Sequence, residues 1–145
     1  MQLTAHTDYA LRVLMYLTVH QDKRITIDEL AEFFQVSKNH LVKVVHNLGV
    51  KGFINTARGK GGGISLAKPA RQISVGQVVR QMESHFQMAE CFNAAKSGQC
   101  LLEAQCGLIP VLGKAVEQFL QVLDGASLAD LLPPGTKLNQ HAGNV

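Results

Sequence analysis

Thr26-Ile-Asp-Glu-Leu-Ala-Glu-Phe-Phe34, the break Gln35-Val36, and Ser37-Lys-Asn-His-Leu-Val-Lys-Val-Val-His-Asn-Leu48 decide the fold. Both outer segments read as helices with built-in starts. Thr26 is an N-cap, and Glu29 three residues on makes it a capping box. Leu30 with Phe33 or Phe34 forms its inward face. Ser37 caps the next helix, where Leu41, Val44, Val45 and Leu48 recur at helical spacing. Gly49 or Gly52 ends it. Two short helices joined by a tight turn describe a helix-turn-helix. The inward residues leave Lys38, Asn39, His40, Lys43, His46 and Asn47 on other faces. Those side chains suit phosphate contacts and base-edge hydrogen bonds.

Outward from this unit, Leu11, Leu14, Met15 and Leu17 mark a helix over residues 8–20, with Thr7 or Asp8 as its cap. Downstream, Phe53-Ile-Asn-Thr-Ala57 and Ile64-Ser-Leu-Ala67 read as strands around Arg58-Gly-Lys-Gly-Gly-Gly63. A β-hairpin placed directly after a helix-turn-helix is a wing, with Arg58 and Lys60 at its tip. The tip has no G-x4-G-K-[ST] pattern and leads into a strand, so it is not a nucleotide-binding loop. Val75, Val78, Val79 and Met82 mark a helix over 74–84. Order weakens from His85 to Cys106. Leu108, Leu112, Val116, Phe119 and Leu123 then restore a helical period over 108–124, with Pro110 in the first turn. Ala115, Leu120 and Val122 widen this apolar face beyond what one small domain needs, which marks a dimerisation helix. Ser127-Leu-Ala-Asp-Leu-Leu132 reads as a short capped turn of helix.

The expected class is therefore mainly α with a small β-hairpin: a winged helix-turn-helix plus a long C-terminal dimerisation helix. Residues 1–84 form the winged domain, 85–106 a cysteine-containing loop, and 107–132 the dimerisation helix and a short terminal helix. Residues 133–145 are expected to be a disordered tail.

Composition narrows the function. The 145 residues are 46% hydrophobic and 17% charged, a folded chain of about one domain. No apolar run approaches ~18 residues, so no membrane span is expected. The start lacks a basic region followed by an apolar core, so a cytoplasmic location is expected. The net charge of +3 hides an asymmetry: residues 1–80 carry +6 and residues 81–145 carry −3. Between Glu32 and Glu83 stand 8 Lys/Arg and no carboxylate. A phosphate backbone is the common partner of such a surface. No paired acid–base constellation or substrate-cofactor motif is present, which argues against an enzyme.

Three cysteines, Cys91-x8-Cys100-x5-Cys106, exclude a complete intrachain disulfide framework by parity. Thiolates suit iron–sulfur clusters, though three leave one ligand short of the usual four. Structural zinc normally shows close pairs such as C-x2-C, and none occurs. A thiol switch and three small buried residues are the other readings. His6, His20, His40, His46, His85 and His141 show no metal-ligand spacing.

Met1-Gln-Leu-Thr4, Thr7-Asp-Tyr-Ala-Leu-Arg12, Val36-Ser-Lys-Asn-His-Leu-Val-Lys43, Arg58-Gly-Lys-Gly-Gly-Gly-Ile-Ser-Leu-Ala-Lys-Pro69 and Ser127-Leu-Ala-Asp-Leu131 share their order and spacing with a known family. Over residues 1–132 the chain resembles the Rrf2 family of bacterial winged-helix regulators, and within it the nitric-oxide-sensitive repressors. The resemblance implies an iron–sulfur cluster on Cys91, Cys100 and Cys106. A histidine shortly after the third cysteine marks the cluster-biogenesis branch and its [2Fe–2S] arrangement. Here Gly107-Leu-Ile109 follow instead, so [4Fe–4S] is favoured over [2Fe–2S]. Asp8 matches the position of a carboxylate ligand supplied by the other subunit. Its own surroundings allow a second role, capping the first helix and pairing with Arg12.

The implied function is a homodimeric repressor on double-stranded operator DNA with nitric oxide as its signal. Ser37, Lys38, Asn39, His40 and Lys43 would read the major groove, with Arg58 and Lys60 on the flank. The alternative is a regulator of the same type that senses iron–sulfur or redox status by another cluster type or by cysteine oxidation.

Overall fold

The computed structural model describes residues 2–138. Five helices and one hairpin follow in the order α1 (Ala5–Val19), α2 (Ile27–Phe34), α3 (Lys38–Val50), β1 (Ile54–Ala57), β2 (Gly63–Leu66), α4 (Val75–Met82) and α5 (Leu108–Asp124). α1 packs across α3 and α4, α2 against α3, and α4 against α5. The head is a winged helix-turn-helix, mainly helical with a two-stranded antiparallel wing. Among the described residues no helix is long and apolar enough to cross a membrane.

The core gathers the periodic residues. Leu14 and Leu17 of α1, Leu30 of α2, and Leu41, Val44 and Leu48 of α3 are all buried. Each such side chain contributes about 1.5–3 kcal/mol on leaving water. Between α2 and α3 the chain reverses at Gln35, which takes the left-handed conformation with φ 53°. Wing and head are joined by Ile25 and Ile64, which exchange backbone hydrogen bonds at 2.8 and 3.0 Å. Gly63, at φ 143°, brings the wing backbone against Ile25, so close that a Cβ there would lie 2.8 Å from the Ile25 oxygen.

Two local details differ from the sequence reading. α1 starts earlier, at Ala5, because Thr4 is its cap and accepts from the Thr7 amide at 3.3 Å. Thr7 is fully buried inside the helix and Asp8 lies within its first turn, so neither caps it. The capping box of α2 is half formed. Thr26 accepts from the Glu29 amide at 3.1 Å, but the Glu29 carboxylate turns away to the Lys23 ammonium at 2.7 Å and the Tyr16 hydroxyl at 3.1 Å. α3 runs through Gly49 to Val50 and closes at Gly52, the second of the two expected glycines, which takes the left-handed conformation at φ 74°.

α5 spans the expected residues, with Pro110 in its first turn, where a missing amide costs no helix bond. Leu120, with Val116, Phe119 and Leu123, packs on Val75 and Val79 of α4. Asp124 anchors the end of α5: Arg80 binds both its carboxylate oxygens, the Nη2 contact being 2.7 Å. The chain then returns to the head. Leu128 donates its amide to the Ile73 carbonyl at 2.9 Å and is fully buried in the head core. Ser127 and Asp130 form a capping box around the short helical turn there. At Pro133–Thr136 the chain makes a turn closed by a 3.1 Å backbone bond. Of the tail expected over 133–145, residues 139–145 lie outside the described residues.

Candidate DNA-reading face and cysteine segment

α3 presents two faces of opposite character. Leu41, Val44, Val45 and Leu48 are buried, and Asn39, Val42, Lys43 and His46 are exposed. The exposed four stand at i, i+3, i+4 and i+7, one stripe along the helix. Ser37, the cap, accepts from the His40 amide at 3.4 Å and keeps the first turn open to solvent. Lys38 is exposed but engaged: its ammonium lies 2.6 Å from Asp28 of α2. Such an exposed pair is weak, typically below about 1 kcal/mol, so a phosphate can displace it. Among the described residues Lys43, Arg58 and Lys60 make no ion pair, and all three are exposed. Arg58 and Lys60 stand at the wing tip, as their place in the hairpin requires.

His40 and Asn47 face inward instead. The His40 ring packs edge-on against Tyr9 of α1, with centroids 5.1 Å apart, and its buried Nε2 has no hydrogen-bond partner among the described residues. Asn47 lies 3.0 Å from His6 Nε2. Burial first, then the neighbouring His40, push the His6 imidazole below its ordinary value, against the opposing pull of Glu83. A neutral His6 nitrogen can therefore accept from the Asn47 amide. Both contacts fix α3 on the amino-terminal half of α1.

That same stretch of α1 carries Asp8. Its carboxylate binds Arg12, at 2.8 Å to Nη2 and 3.1 Å to Nε. The Arg12 guanidinium also lies over the Tyr9 ring, 5.4 Å from its centroid. Asp8 is thus linked through Arg12 and Tyr9 to His40. The cap residue Thr4 gives both its amide, at 2.7 Å, and its hydroxyl, at 3.1 Å, to Glu83. Glu83 ends α4, so the start of α1 is tied to the entrance of the cysteine segment.

The cysteine segment is a string of single 3-10 turns over Glu90–Phe92, Ala94–Lys96 and Glu103–Gln105. Glu103 braces it, accepting from Gly98 at 2.6 Å and Ser97 at 3.1 Å. Cys91 and Cys106 are half-buried and Cys100 is exposed, all three as free thiols. Among the described residues no three His, Cys, Asp or Glu side chains converge into a metal-binding group. The donor set suits a cluster in kind, three unbridged soft ligands on one segment, but bringing them together requires the segment to rearrange. Leu101 and Leu102 beside Cys100 stand in solvent, a surface that calls for a cover.

A family model described as "Rrf2: Iron-dependent Transcriptional regulator" matches residues 3–134. The chain belongs to the Rrf2 family. It is 44% identical to the HTH-type transcriptional regulator NsrR of Bacillus licheniformis, over 91% of this chain and 92% of that one. It is 46% identical to the protein of that name from Geobacillus kaustophilus, over 91% and 90%. Among solved structures it is similar to T. potens IscR, with a TM-score of 0.72 at 22% identity over 90% of this chain and 85% of that one. Staphylococcus aureus CymR gives a TM-score of 0.70 at 24% identity over 92% and 100%. These folds agree with the winged architecture described above. This Rrf2 chain is a transcriptional regulator rather than an enzyme.

Within the Rrf2 chain, sequence reasoning overlooked Val42, Asp28 and the joint that ties α1 to α3 and α4. Val42 shares the period of Asn39, Lys43 and His46, a signal present in the sequence. Attention to polar side chains alone passes over it. The Thr4–Glu83 and His6–Asn47 contacts span 79 and 41 residues and leave no local pattern.

Proposed function

We propose that this chain is a cytoplasmic, homodimeric DNA-binding repressor that senses nitric oxide through an iron–sulfur cluster held by Cys91, Cys100 and Cys106. The observation that carries the reading is the position of three free thiols on one segment between α4 and α5. The NsrR-named relatives and the resemblance noted above support it. When bound, the cluster supplies iron as the reacting centre for nitric oxide. [4Fe–4S] is favoured over [2Fe–2S] because Gly107, Leu108 and Ile109 offer no histidine after Cys106. Asp8, which pairs with Arg12 within its own chain, would be the residue that completes the ligand set of the partner's cluster.

The chain's own residues supply the rest. Leu108, Val111 and Val122 form an apolar stripe on the outer side of α5, the surface for a second copy. Two heads so paired meet half-sites about one helical turn, roughly 34 Å, apart. Ser37, Lys38, Asn39 and Lys43 enter the major groove, and Arg58 and Lys60 hold flanking phosphates. His40 supports this face from behind, through Tyr9. A change at Asp8 is felt at α3 because Arg12, Tyr9 and His40 lie in one contact chain.

Anaerobic purification tests the reading. Wild-type protein should be brown with stoichiometric iron and sulfide. Serine at Cys91, Cys100 or Cys106 should abolish the colour, and Asp8→Ala should alter the spectrum and the nitric oxide response. Colourless, iron-free protein with undiminished and nitric-oxide-insensitive operator binding would overturn it. Three free thiols, with Cys100 exposed, also allow a second reading, control by cysteine oxidation. Its mark would be a disulfide formed on mild oxidation, with reversible loss of operator binding.

A further inference from the structure

We propose that Val42 is a specificity-determining residue of the DNA-reading face, contacting the C5-methyl group of a thymine in each operator half-site. The inference rests on the DNA-binding reading above and names part of what that face recognises. Val42 is 43% exposed, whereas Leu41, Val44, Val45 and Leu48 on the same helix are at most 4% exposed. It therefore adds little to the core. A β-branched side chain on an exposed helix position also gains nothing in helix propensity.

Its neighbours tell what it faces. Asn39, Lys43 and His46 flank it on one stripe, and none of the three is held by an ion pair or hydrogen bond from its side chain to another part of the chain among the described residues. An apolar side chain framed by an amide, an ammonium and an imidazole would be poorly placed in a protein–protein contact of the kind α5 offers. It is well placed in a major groove. There the thymine methyl is the apolar group that base edges present, and small apolar side chains contact it. Val50 is the other exposed apolar residue of α3, but it lies at the C-terminal end. The amino-terminal half of a recognition helix is the part that reaches base edges. Asn39, one turn before Val42, has the amide that pairs with adenine. Together they favour a half-site with neighbouring A·T pairs.

The test uses the full-length protein, purified anaerobically. Duplexes bound from a random library define the operator. Each thymine in it is then replaced in turn by deoxyuridine, which removes only the methyl group. One position per half-site should weaken wild-type binding by about fourfold, the effect of a lost buried methyl. Val42→Ala should bind the unmodified operator more weakly by a similar factor and be indifferent to uracil at that position. A flat uracil scan with wild-type protein would overturn the proposal while leaving sequence-specific DNA binding intact. So would a Val42→Ala protein that keeps the uracil penalty. Failure to enrich any duplex would instead remove the DNA-binding reading and this proposal with it. The wild-type scan needs no variant, so misfolding of Val42→Ala cannot mask the result.

Discussion

Tyr9 of α1 and His40 of α3 pack edge to face, with ring centroids 5.1 Å apart and planes at 68°. The pair joins the helix that carries Asp8 to α3, the helix proposed to read DNA. Its aromatic contact is worth about 0.5–1.5 kcal/mol beyond burial. Tyr9→Leu should keep the fold but loosen α3. Specific operator binding should weaken roughly twofold to thirteenfold, following from that energy range. Fluorescence anisotropy with specific and scrambled duplexes checks this. An equal loss on both duplexes would show that Tyr9 does not set the pose of α3.

The wing should behave as a phosphate contact. Removing Arg58 or Lys60 by alanine should lower affinity for all duplexes alike. Each lost contact should reduce the slope of log affinity against log salt by roughly 0.9. Titrations between low and physiological salt measure it. An unchanged slope at Arg58 and Lys60 would mean that the wing stays clear of the duplex.

Gly76 sits where α4 meets the end of α5. A Cβ added there would run into the Asp124 carboxylate that Arg80 holds. Gly76→Ala should therefore force Asp124 aside and destabilise the protein by about 1–3 kcal/mol, the usual effect of overpacking. Urea denaturation is the measurement. The helix propensity gained by alanine, about 1 kcal/mol, offsets part of the clash, so the measured loss is the net of the two.

Stability should fall at both ends of the pH scale through one contact. Burial alone would raise the Glu29 carboxyl, but hydrogen bonds from Lys23 and Tyr16 outweigh it and hold Glu29 below its ordinary 4.5. A depressed carboxyl stabilises the fold above that value, and the gain is lost as pH falls below it. Burial and the Glu29 charge push the Tyr16 phenol up from 10.0 to about 12. That raised value keeps the fold intact below pH 10 and weakens it as pH rises toward 12. Tyr16→Phe should reduce stability at neutral pH by about 1 kcal/mol and flatten the alkaline limb. Unfolding curves across pH 3–11 (roughly the workable range for a folded protein) would show an unaltered alkaline limb if Tyr16 were not responsible.

Much of the fold was legible because it is local. Thr26 and Ser37 each cap a helix by accepting from a backbone amide three residues on, and that spacing is readable in one dimension. The wing was equally legible, since its glycines and basic tip lie between two short apolar runs. The start of α1 was misplaced because Thr4, Thr7 and Asp8 are all good caps in isolation. Burial of Thr7 decided among them, and burial is a tertiary property. The reading face was legible in its charges but not in its edges. His40 and Asn47 look like any polar residue of α3 until α1 is laid across them. Residues 85–106 stayed the least legible, since without helical or strand period their course depends on contacts such as Glu103 with Gly98.

The central claim is a repressor whose grip on DNA depends on a nitric-oxide-sensitive cluster. Its most direct test is operator binding by the anaerobic, iron-loaded dimer during a nitric oxide titration. Affinity should fall at least about tenfold, a change of roughly 1.4 kcal/mol, while the Cys100→Ser protein should bind weakly throughout and show no response. Wild-type binding that is identical with and without iron, and unmoved by nitric oxide, would contradict the claim.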